Sequence, residues 1–376
     1  MKIIIAPDKF KRSLTGWEFC LTVEKCLKNS IPEVKVKKIP LADGGDGTLA
    51  ALSTQMSDNK VGLTVKDPLF RSVSATYLYD ETDKTAFIEM AEASGLRLLT
   101  EEEQNCFRTT TYGTGELVSD ALDKGAQKII LGIGGSATND CGMGMAAALG
   151  YQFLDKKGNT LEPMGKNLAL VEQIDTAFVD PRLAKTIFEV ACDVTNPLLG
   201  ENGAAMIYAP QKGATDEQVQ LLDQGMDHFE KILEKTFRKS VKDIPGSGAA
   251  GGMGAGALVF FNAELRSGID LIKELVKFDE LIKGADWIIT GEGKLDFQTL
   301  SGKTVNGVLE SALLQKIKVA VFCGWITLPQ DALNSIGVTY AASVMERAQG
   351  MEDALEHTIP YLRDMVKEFT EKISKD

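Results

Sequence analysis

The chain opens and closes with strand-like and helix-like segments in alternation, and a long middle stretch breaks this pattern. In the outer parts, short apolar runs predict strands at residues 2–6, 34–41, 287–290, 318–324 and 338–344. Amphipathic patterns between them predict helices at residues 13–28, from 48 onward, and at 269–282, 303–314 and 351–372. Strands that alternate with helices favour a parallel sheet covered by helices.

The middle of the chain has a different pattern. Three β-rich runs, VGLTVKD, SVSATYLYD and TAFIEMA, follow one another from about residue 61 with no helix between them, which indicates antiparallel pairing. The later segments predict helices at 114–124, 143–149 and 215–237 and strands at 128–133, YQFLD and IFEVACD. We therefore predict an α/β protein with a discontinuous parallel-sheet domain (1–60 and 266–376) and an inserted α/β domain (61–265).

Composition excludes several classes of protein. The formal net charge is −12 and no basic stripe is visible, which argues against a nucleic-acid or membrane-surface partner. No segment approaches the about 20 apolar residues of a membrane helix, and the apolar run within residues 1–7 is too short for a signal peptide. The six scattered cysteines contain no C-x-x-C pair and are typical of reduced thiols, so we expect a cytoplasmic protein.

Histidine chemistry is also improbable from the sequence. The two histidines, His228 and His357, both occur in polar helical segments, where we expect surface positions. This argues against Ser-His-Asp catalysis and against zinc sites of the H-E-x-x-H type. Proton transfer then falls to carboxylates or lysines.

Five segments that carry glycine, small hydroxyl or acidic residues stand at or near predicted strand ends, where open α/β sheets bind ligands. They are residues 6–11, 42–48, 132–140, 245–256 and 291–299. In the third, glycines allow close approach of a phosphate and the next helix start offers free N–H groups, so Gly134, Gly135, Ser136 and Thr138 are predicted to bind nucleotide. A tight structural turn is the alternative.

The same loop also supports a rival function. Gly132, Gly134 and Ala137 match the G-x-G-x-x-A fingerprint of dinucleotide-binding proteins, and Asp155 ends a strand about 20 residues later. This favours an NAD-dependent oxidoreductase of a hydroxy acid. Against it, Asp140 would place a carboxylate at the pyrophosphate, which suits a metal-bound phosphate better. A non-catalytic nucleotide- or sugar-acid-binding protein is a third possibility.

The other loops supply charged groups. Glu292 and Asp296 lie beside Lys294 and Lys303, a mixture that suits metal and phosphate together, although an exposed salt-bridged loop is possible. The loops near the N-terminus carry the pairs Asp8–Lys9 and Asp43–Asp46. Residues 245–256 contain a literal G-x-G-x-x-G without a clear preceding strand, so close helix packing and ligand binding are equally supported.

Nine segments, in order and spacing from residue 1 to about 324, resemble the bacterial glycerate kinases of glyoxylate and sugar-acid catabolism. They are APDKFKRSLT, ADGGDGT, IEMAEASGL, TTYGTGEL, GIGGSATNDCGMG, CDVTNPLLG, APQKGAT, PGSGAAGGMGAG and TGEGKLDFQTLSGKT. The resemblance implies a Rossmann-like domain interrupted by a second α/β domain. It also implies ATP-dependent phosphorylation of D-glycerate, usually at the 2-hydroxyl to give 2-phosphoglycerate.

The chain departs from the family pattern at several positions. Arg12, Phe70 and Cys141 stand where glycine is usual, Asp46 where glutamate is frequent, and Lys294 where arginine is common. Arg12 and Phe70 are the departures that we expect to bear on substrate choice.

Roles can be assigned to the charged residues on this basis, with ATP and Mg²⁺ as cofactors and no prediction of oligomeric state. Asp193 and Asp296 are the leading candidates for the base, because each closely follows a strand and has a polar neighbour, Asn196 or Gln298. The predicted catalytic residues are Asp193, Asp296, Lys294, Lys9 and Asp8. Gly291, Gly293 and Lys303 join the nucleotide-binding set; Asp140, Asp193 and Asp296 are the predicted Mg²⁺ ligands. The predicted substrate-binding residues are Arg71, Asp43, Asp46, Asn196 and Gln298.

Overall fold

The structure is a computed structural model that describes residues 1–10, 13–54, 56–297 and 303–374, so Arg12 lies outside the described residues. The strands are β1 (Lys2–Ile5), β2 (Lys35–Lys38), β3 (Lys60–Lys66), β4 (Ser72–Asp80), β5 (Thr85–Glu89), β6 (Lys128–Gly132), β7 (Gln152–Leu154), β8 (Gln173–Asp175), β9 (Ile187–Ala191), β10 (Glu264–Arg266), β11 (Trp287–Thr290), β12 (Lys294–Leu295), β13 (Lys318–Cys323), β14 (Trp325–Ile326) and β15 (Val338–Ser343). The α-helices are α1 (Gly16–Ser30), α2 (Thr48–Ser53), α3 (Ala91–Ser94), α4 (Tyr112–Asp123), α5 (Met143–Ala148), α6 (Ala204–Tyr208), α7 (Asp216–Phe237), α8 (Ala249–Phe260), α9 (Gly268–Leu275), α10 (Phe278–Leu281), α11 (Thr304–Gln315), α12 (Gln330–Ser335), α13 (Met351–Glu356) and α14 (Thr358–Ile373).

The chain forms two compact units. The terminal unit consists of Met1–Asp43, Ala50–Gln55 and Ile269–Asp376, and the central unit of Gly44–Leu49 and Met56–Gly268. Both contain helices and parallel strands, so the predicted α/β fold is confirmed. None of the helices built from the described residues combines the length and apolar character needed to span a bilayer.

The terminal unit is built on a five-stranded parallel sheet in the order β2-β1-β11-β13-β15. The isoleucines of β1 and all of Trp287–Thr290 are buried, as expected for inner strands covered on both faces. The edge strand β2 is KVKK, and its exposed lysines protect the open edge. The strand order reverses between β1 and β11, and in open parallel sheets that reversal marks where ligands bind, at the carboxyl ends of the strands.

Helix α1 begins with a capping box in which Thr15 accepts from the Glu18 N–H and the Glu18 side chain accepts from the Thr15 N–H. Thr15 is therefore the N-cap of α1. The helix buries Phe19, Val23 and Leu27 in the core. Leu21 lies on the outer side of α1 and is 45% exposed.

Two long predicted helices are each divided in two. The stretch 269–282 breaks between α9 and α10 at Lys277, whose φ of 54° lies in the left-handed region. The stretch 351–372 breaks at His357 between α13 and α14. Pro360 has no N–H to bond the carbonyl four residues earlier and is tolerated only in the first turn of a helix, so α14 starts just before it.

The central unit contains a six-stranded sheet in the order β3-β4-β5-β6-β9-β10. The pairs β3–β4 and β4–β5 are antiparallel, as predicted from the three successive β-rich runs, and the other pairs are parallel. Strands β7 and β8 form a separate antiparallel pair. The predicted amphipathic helix at 215–237 is α7, and it buries Leu222, Met226 and Phe229 against the central core.

Phe70 and Cys141, two of the positions where the resembling family has glycine, adopt left-handed backbone conformations with φ of 61° and 51°. Phe70 lies in a turn whose Asp67 carboxylate accepts from the N–H groups of Leu69 and Arg71. A side chain in this conformation costs about 1–2 kcal/mol, which glycine avoids.

Phe70→Gly is therefore expected to be more stable than Phe70→Ala by about 1 kcal/mol, because both lose the ring and only glycine relieves the strain. Urea unfolding of the two variants measures the difference. The control pair is Leu69→Gly and Leu69→Ala, where φ is not positive and alanine should be the more stable by about 0.5–1 kcal/mol. The same order at both positions would contradict the argument.

Candidate active site

A cavity of about 490 Å³ lies in the terminal unit at the carboxyl ends of its parallel strands. Its lining includes residues that follow β1, β11, β13 and β15, which places it at the reversal of strand order. Seven of the lining residues carry charge: Asp8, Lys9, Asp43, Glu292, Lys294, Asp296 and Lys303. The predicted mixed-charge site therefore gathers residues from three of the five segments, namely 6–11, 42–48 and 291–299.

Asp8 is held firmly at the end of β1. Its Oδ1 accepts from the Lys9 N–H at 2.6 Å, and its Oδ2 accepts from Thr304 Oγ1 at 2.7 Å. The Asp8 N–H donates to the Gly291 carbonyl, which ties the loop after β1 to the loop after β11. Burial, helped by the nearby negative charge of Asp43, raises the pKa of Asp8 to about 6. A carboxyl group with this pKa can exchange a proton near neutral pH.

The loop after β11 brings a lysine and a carboxylate together. Lys294 Nζ lies 2.9 Å from Asp296 Oδ2 and 5.4 Å from the centre of the Trp325 ring. Strands β12 and β14 pair in parallel and place Lys294 opposite Trp325. Gly291 is required for packing, since a Cβ there would overlap the Phe322 carbonyl oxygen, whereas Gly293 lines the cavity.

In the central unit, the glycine loop at 132–140 packs against residues 44–46. A Cβ on Gly132 would lie 2.8 Å from the Gly44 oxygen, and one on Gly134 would lie 2.6 Å from the Gly45 Cα. A Cβ on Gly135, whose φ is 71°, would lie 3.1 Å from the Asp46 Cβ. Two glycine-containing segments distant in sequence are thus in close backbone contact, which accounts for these glycines without a ligand.

The segment 245–256 has a similar packing role. A Cβ on Gly251 would overlap the Thr138 carbonyl oxygen, and one on Gly256 would overlap the Cys141 carbonyl oxygen. Ala250, Gly251 and Gly252 all have positive φ, so regular helical geometry in α8 starts after them. Of the two readings of this segment, the structure supports close packing.

Lys212 is a buried residue that the sequence analysis missed. Lys212 is only 3% exposed. Its Nζ donates to Ser136 Oγ and to the Thr138 carbonyl, both at 2.7 Å, and to Asn139 Oδ1 at 3.4 Å. Burial lowers the pKa of Lys212 to about 8. One ammonium group thus holds the glycine loop at three points. Its only sequence signal was its place in the segment APQKGAT.

Asp140 lies in the same buried region. Its Oδ2 accepts from the Thr111 N–H, the Thr111 hydroxyl and the Gly144 N–H, and its Oδ1 accepts from the Gly142 N–H. Burial raises the pKa of this carboxyl group. Because protein donors surround both oxygens, the contacts indicate a structural role and do not fit the Mg²⁺ ligand that we predicted.

Glu89 is a second residue that the sequence analysis did not select. It ends β5, is 1% exposed, and accepts from the N–H groups of Gly47 and Leu49. Burial raises its pKa, with a contribution from the charge of Asp46. Glu89 therefore fixes the segment that packs on the glycine loop. Because it ends a β-rich run, it resembled an ordinary strand residue.

Two further predicted site residues, Asp193 and Asn196, lie in loops of the central unit. Asp193 is exposed, and its Oδ1 accepts from the Gly268 N–H at 2.9 Å. Asn196 accepts from the Tyr208 hydroxyl and donates to the Asn202 carbonyl. Both side chains therefore form hydrogen bonds that stabilise the loops in which they lie.

The Arg71 guanidinium is paired with Asp67 and Glu103. Two carboxylates therefore already neutralise it, which does not fit the predicted capture of a substrate carboxylate. Gln298 lies outside the described residues.

Neither histidine lines the cavity. His228 is half-buried with its Nε2 2.7 Å from the Val171 carbonyl oxygen, and so is less exposed than we predicted. His357 is exposed and lies 2.9 Å from Asp353. The proton acceptor in the cavity must then be sought among its carboxylates.

The dinucleotide-binding alternative fails on topology. The fingerprint requires a parallel strand–helix–strand unit with the acidic residue at the end of the second strand. Asp155 instead follows β7, which pairs antiparallel with β8 in a separate small sheet, and its carboxylate accepts from the N–H groups of Lys157 and Asn159 in a tight turn. The neighbours of β6 are β5 and β9.

Comparisons with known proteins match nearly the whole length of this chain. A family model described as the Glycerate kinase family matches residues 3–374. The glycerate kinase of Bacillus subtilis strain 168 is 41% identical over 373 residues, 99% of this chain and 98% of its own. The glycerate 2-kinase of Escherichia coli K12 is 41% identical over 354 residues, 94% of this chain and 93% of its own.

A solved structure gives the same result. The crystal structure of a Salmonella typhimurium LT2 protein described as glycerate kinase 2 matches with a TM-score of 0.88 at 37% identity, over 100% of this chain and 98% of that chain. None of these matches supports a hydroxy-acid oxidoreductase. The chain belongs to the glycerate kinase family.

Proposed function

We propose that the protein transfers the γ-phosphoryl group of ATP to the 2-hydroxyl of D-glycerate, giving 2-phosphoglycerate. The observation that carries this proposal is the Asp8 carboxyl group, with a pKa of about 6, in one cavity with Lys9, Lys294 and Lys303. Phosphoryl transfer needs aligned reactants, neutralised phosphate charge and an acceptor for the hydroxyl proton. Membership of the glycerate kinase family and the 41% identity to a glycerate 2-kinase support the substrate and the regiochemistry.

In this proposal Asp8 replaces Asp193 and Asp296 as the favoured base. Its carboxylate takes the proton of the substrate hydroxyl, and the contacts from Thr304 and Lys9 hold its two oxygens in place. Lys294 and Lys303 neutralise charge on the transferring group. Lys9, which lines the cavity, is a better candidate than Arg71 for binding the substrate carboxylate. The Arg71 guanidinium already pairs with the carboxylates of Asp67 and Glu103.

We also propose Mg²⁺ as a cofactor. No three His, Cys, Asp or Glu side chains among the described residues form a preformed metal cluster. Mg²⁺ in kinases, however, is held by one or two carboxylates together with substrate phosphates and water. Asp296 and Glu292 line the cavity and could provide such oxygen ligands. When bound, Mg²⁺ would offset phosphate charge.

Other roles stay proposals. Gly293 and Lys303, which line the cavity, stay proposed for nucleotide binding, and Asp43 for substrate binding. Beside the packing and loop contacts described above, nucleotide binding is also proposed for Gly134, Gly135, Ser136, Thr138 and Gly291, and substrate binding for Asp46, Asn196 and Gln298. We propose the division into domains 1–60/266–376 and 61–265, and the cytoplasm as compartment, which the six free cysteines support.

The purified protein with Mg·ATP is expected to release ADP when D-glycerate is added and to remain near background without it, because the acceptor hydroxyl must be present. A coupled ADP assay measures this, and phosphorus NMR identifies the product as 2- or 3-phosphoglycerate. L-glycerate and glycolate are the control acceptors. An absence of ADP release with D-glycerate and its close analogues would refute the function, and 3-phosphoglycerate would refute the regiochemistry.

A further inference from the structure

The cavity of the terminal unit has an apolar wall as well as a charged one. Trp325, Met351 and Leu355 line it while 41%, 51% and 38% exposed. Large apolar side chains that are left exposed as a group mark binding surfaces. Met345 belongs to the same wall. A three-carbon hydroxy acid has no apolar ring that would cover these side chains.

The wall is built from segments that follow the last two strands of the sheet. Trp325 is the first residue of β14, and its backbone N–H donates to the Gly293 carbonyl. Met345 follows β15, and its N–H donates to the Gly324 carbonyl. Leu355 comes from α13. Backbone hydrogen bonds therefore connect Trp325 of the wall to the loop that carries Lys294 and Asp296, and Met345 to the residue before Trp325.

Lys294 marks the boundary between the two walls. Its Nζ lies 5.4 Å from the centre of the Trp325 ring and 2.9 Å from Asp296. A ligand with a flat or apolar part next to an anionic part can contact the apolar wall and the cavity lysines together. A nucleotide has this composition, with a base at one end and phosphates at the other.

We propose that Trp325, Met345, Met351 and Leu355 receive the purine base of the phosphoryl donor, with its phosphates at Lys294 and Lys303. The inference rests on the proposed function for the identity of the donor. Base stacking on an aromatic side chain contributes roughly 5- to 100-fold in affinity. The cavity volume of about 490 Å³ falls in the range of small-molecule sites.

Binding can be read at Trp325 itself. The chain has three tryptophans, so the Trp17→Phe/Trp287→Phe variant leaves Trp325 as the single one. ADP and adenosine are expected to change its fluorescence saturably, whereas tripolyphosphate should compete with ADP and cause no such change alone. ADP that binds by calorimetry without changing the fluorescence would overturn the proposal, as would an equal change with tripolyphosphate alone.

A second measurement uses the otherwise unaltered chain. Trp325→Ala should raise KM for ATP by roughly 5- to 100-fold with KM for glycerate little changed, and Trp325→Phe should retain most of the affinity. Leu314→Ala, at a position that is 85% exposed on α11, is the control. Glycerate phosphorylation with an unchanged ATP KM in Trp325→Ala would refute the base site alone. A Trp325 response to ADP without phosphorylation of any hydroxy acid would refute the proposed function alone.

Discussion

Asp8→Asn is expected to lower kcat by a factor of about 10²–10⁴, the contribution typical of a positioned acid–base group. The substitution keeps the size of the side chain and its capacity to bond Lys9 and Thr304, but it cannot accept the substrate proton. Steady-state assays with saturating ATP and glycerate measure the loss. In the wild type, kcat/KM should rise with pH through about 6, the pKa of Asp8. Near-normal turnover in the Asn variant would place the base elsewhere.

The same substitution should affect stability in the opposite direction. The pKa of Asp8 is raised from 3.8 to about 6 in the fold, so between these values the native state binds more protons than the unfolded state. The free energy of unfolding therefore falls as pH rises through this window. The neutral Asn side chain does not have to ionise in this buried site. The free energy of unfolding of the variant should therefore exceed that of the wild type by about 1–3 kcal/mol between pH 4 and pH 7. Asp296→Asn is the control, because it leaves Asp8 and its pH dependence in place.

Lys212→Met is expected to lower the free energy of unfolding by about 3–5 kcal/mol, because each buried acceptor that loses its hydrogen-bond donor costs about 1–3 kcal/mol. Methionine replaces the apolar stem, but Ser136, Thr138 and Asn139 lose their common donor. The buried Asp140 also loses the nearby positive charge. Urea unfolding at pH 7 measures the loss.

A double-mutant cycle isolates the electrostatic part of this effect. If Asp140 and Lys212 stabilise one another, Asp140→Asn together with Lys212→Met should cost less than the sum of the single changes. Lys231→Met is the surface control, since Lys231 is 66% exposed and should change stability by no more than about 0.5 kcal/mol. A Lys212→Met variant as stable as this control would show that the ammonium does not hold the loop.

Local patterns were sufficient for most of the fold. The buried runs of β1, β11 and β13 predicted a parallel sheet, and the three β-rich runs predicted antiparallel pairing, because each signal lies within one element. Helix ends were less predictable. The break at Lys277 depends on one residue in a left-handed conformation, which no propensity of lysine indicates.

The candidate site was only partly predictable. Asp8 was among the candidates, but its pKa depends on burial and on Asp43, which come from different parts of the chain. The glycines at 132–135 have a different limitation. A glycine that admits a phosphate and one that admits another backbone look the same in a sequence, and here the neighbour is residues 44–46. Lys212 gave no local signal because its three acceptors are more than 70 residues away.

The pairing of β1 with both β2 and β11 has a consequence for synthesis on the ribosome. Strand β11 begins at Trp287, so at about 5–20 residues per second β1 waits roughly 15–55 seconds for its second neighbour. The sheet of the central unit is complete at Arg266 and can form first. Two strands alone are marginally stable, so nascent β1 and β2 present an unpaired apolar edge in the meantime. Chains that terminate between residues 268 and 287 should therefore retain a folded central sheet and aggregate through their first strand.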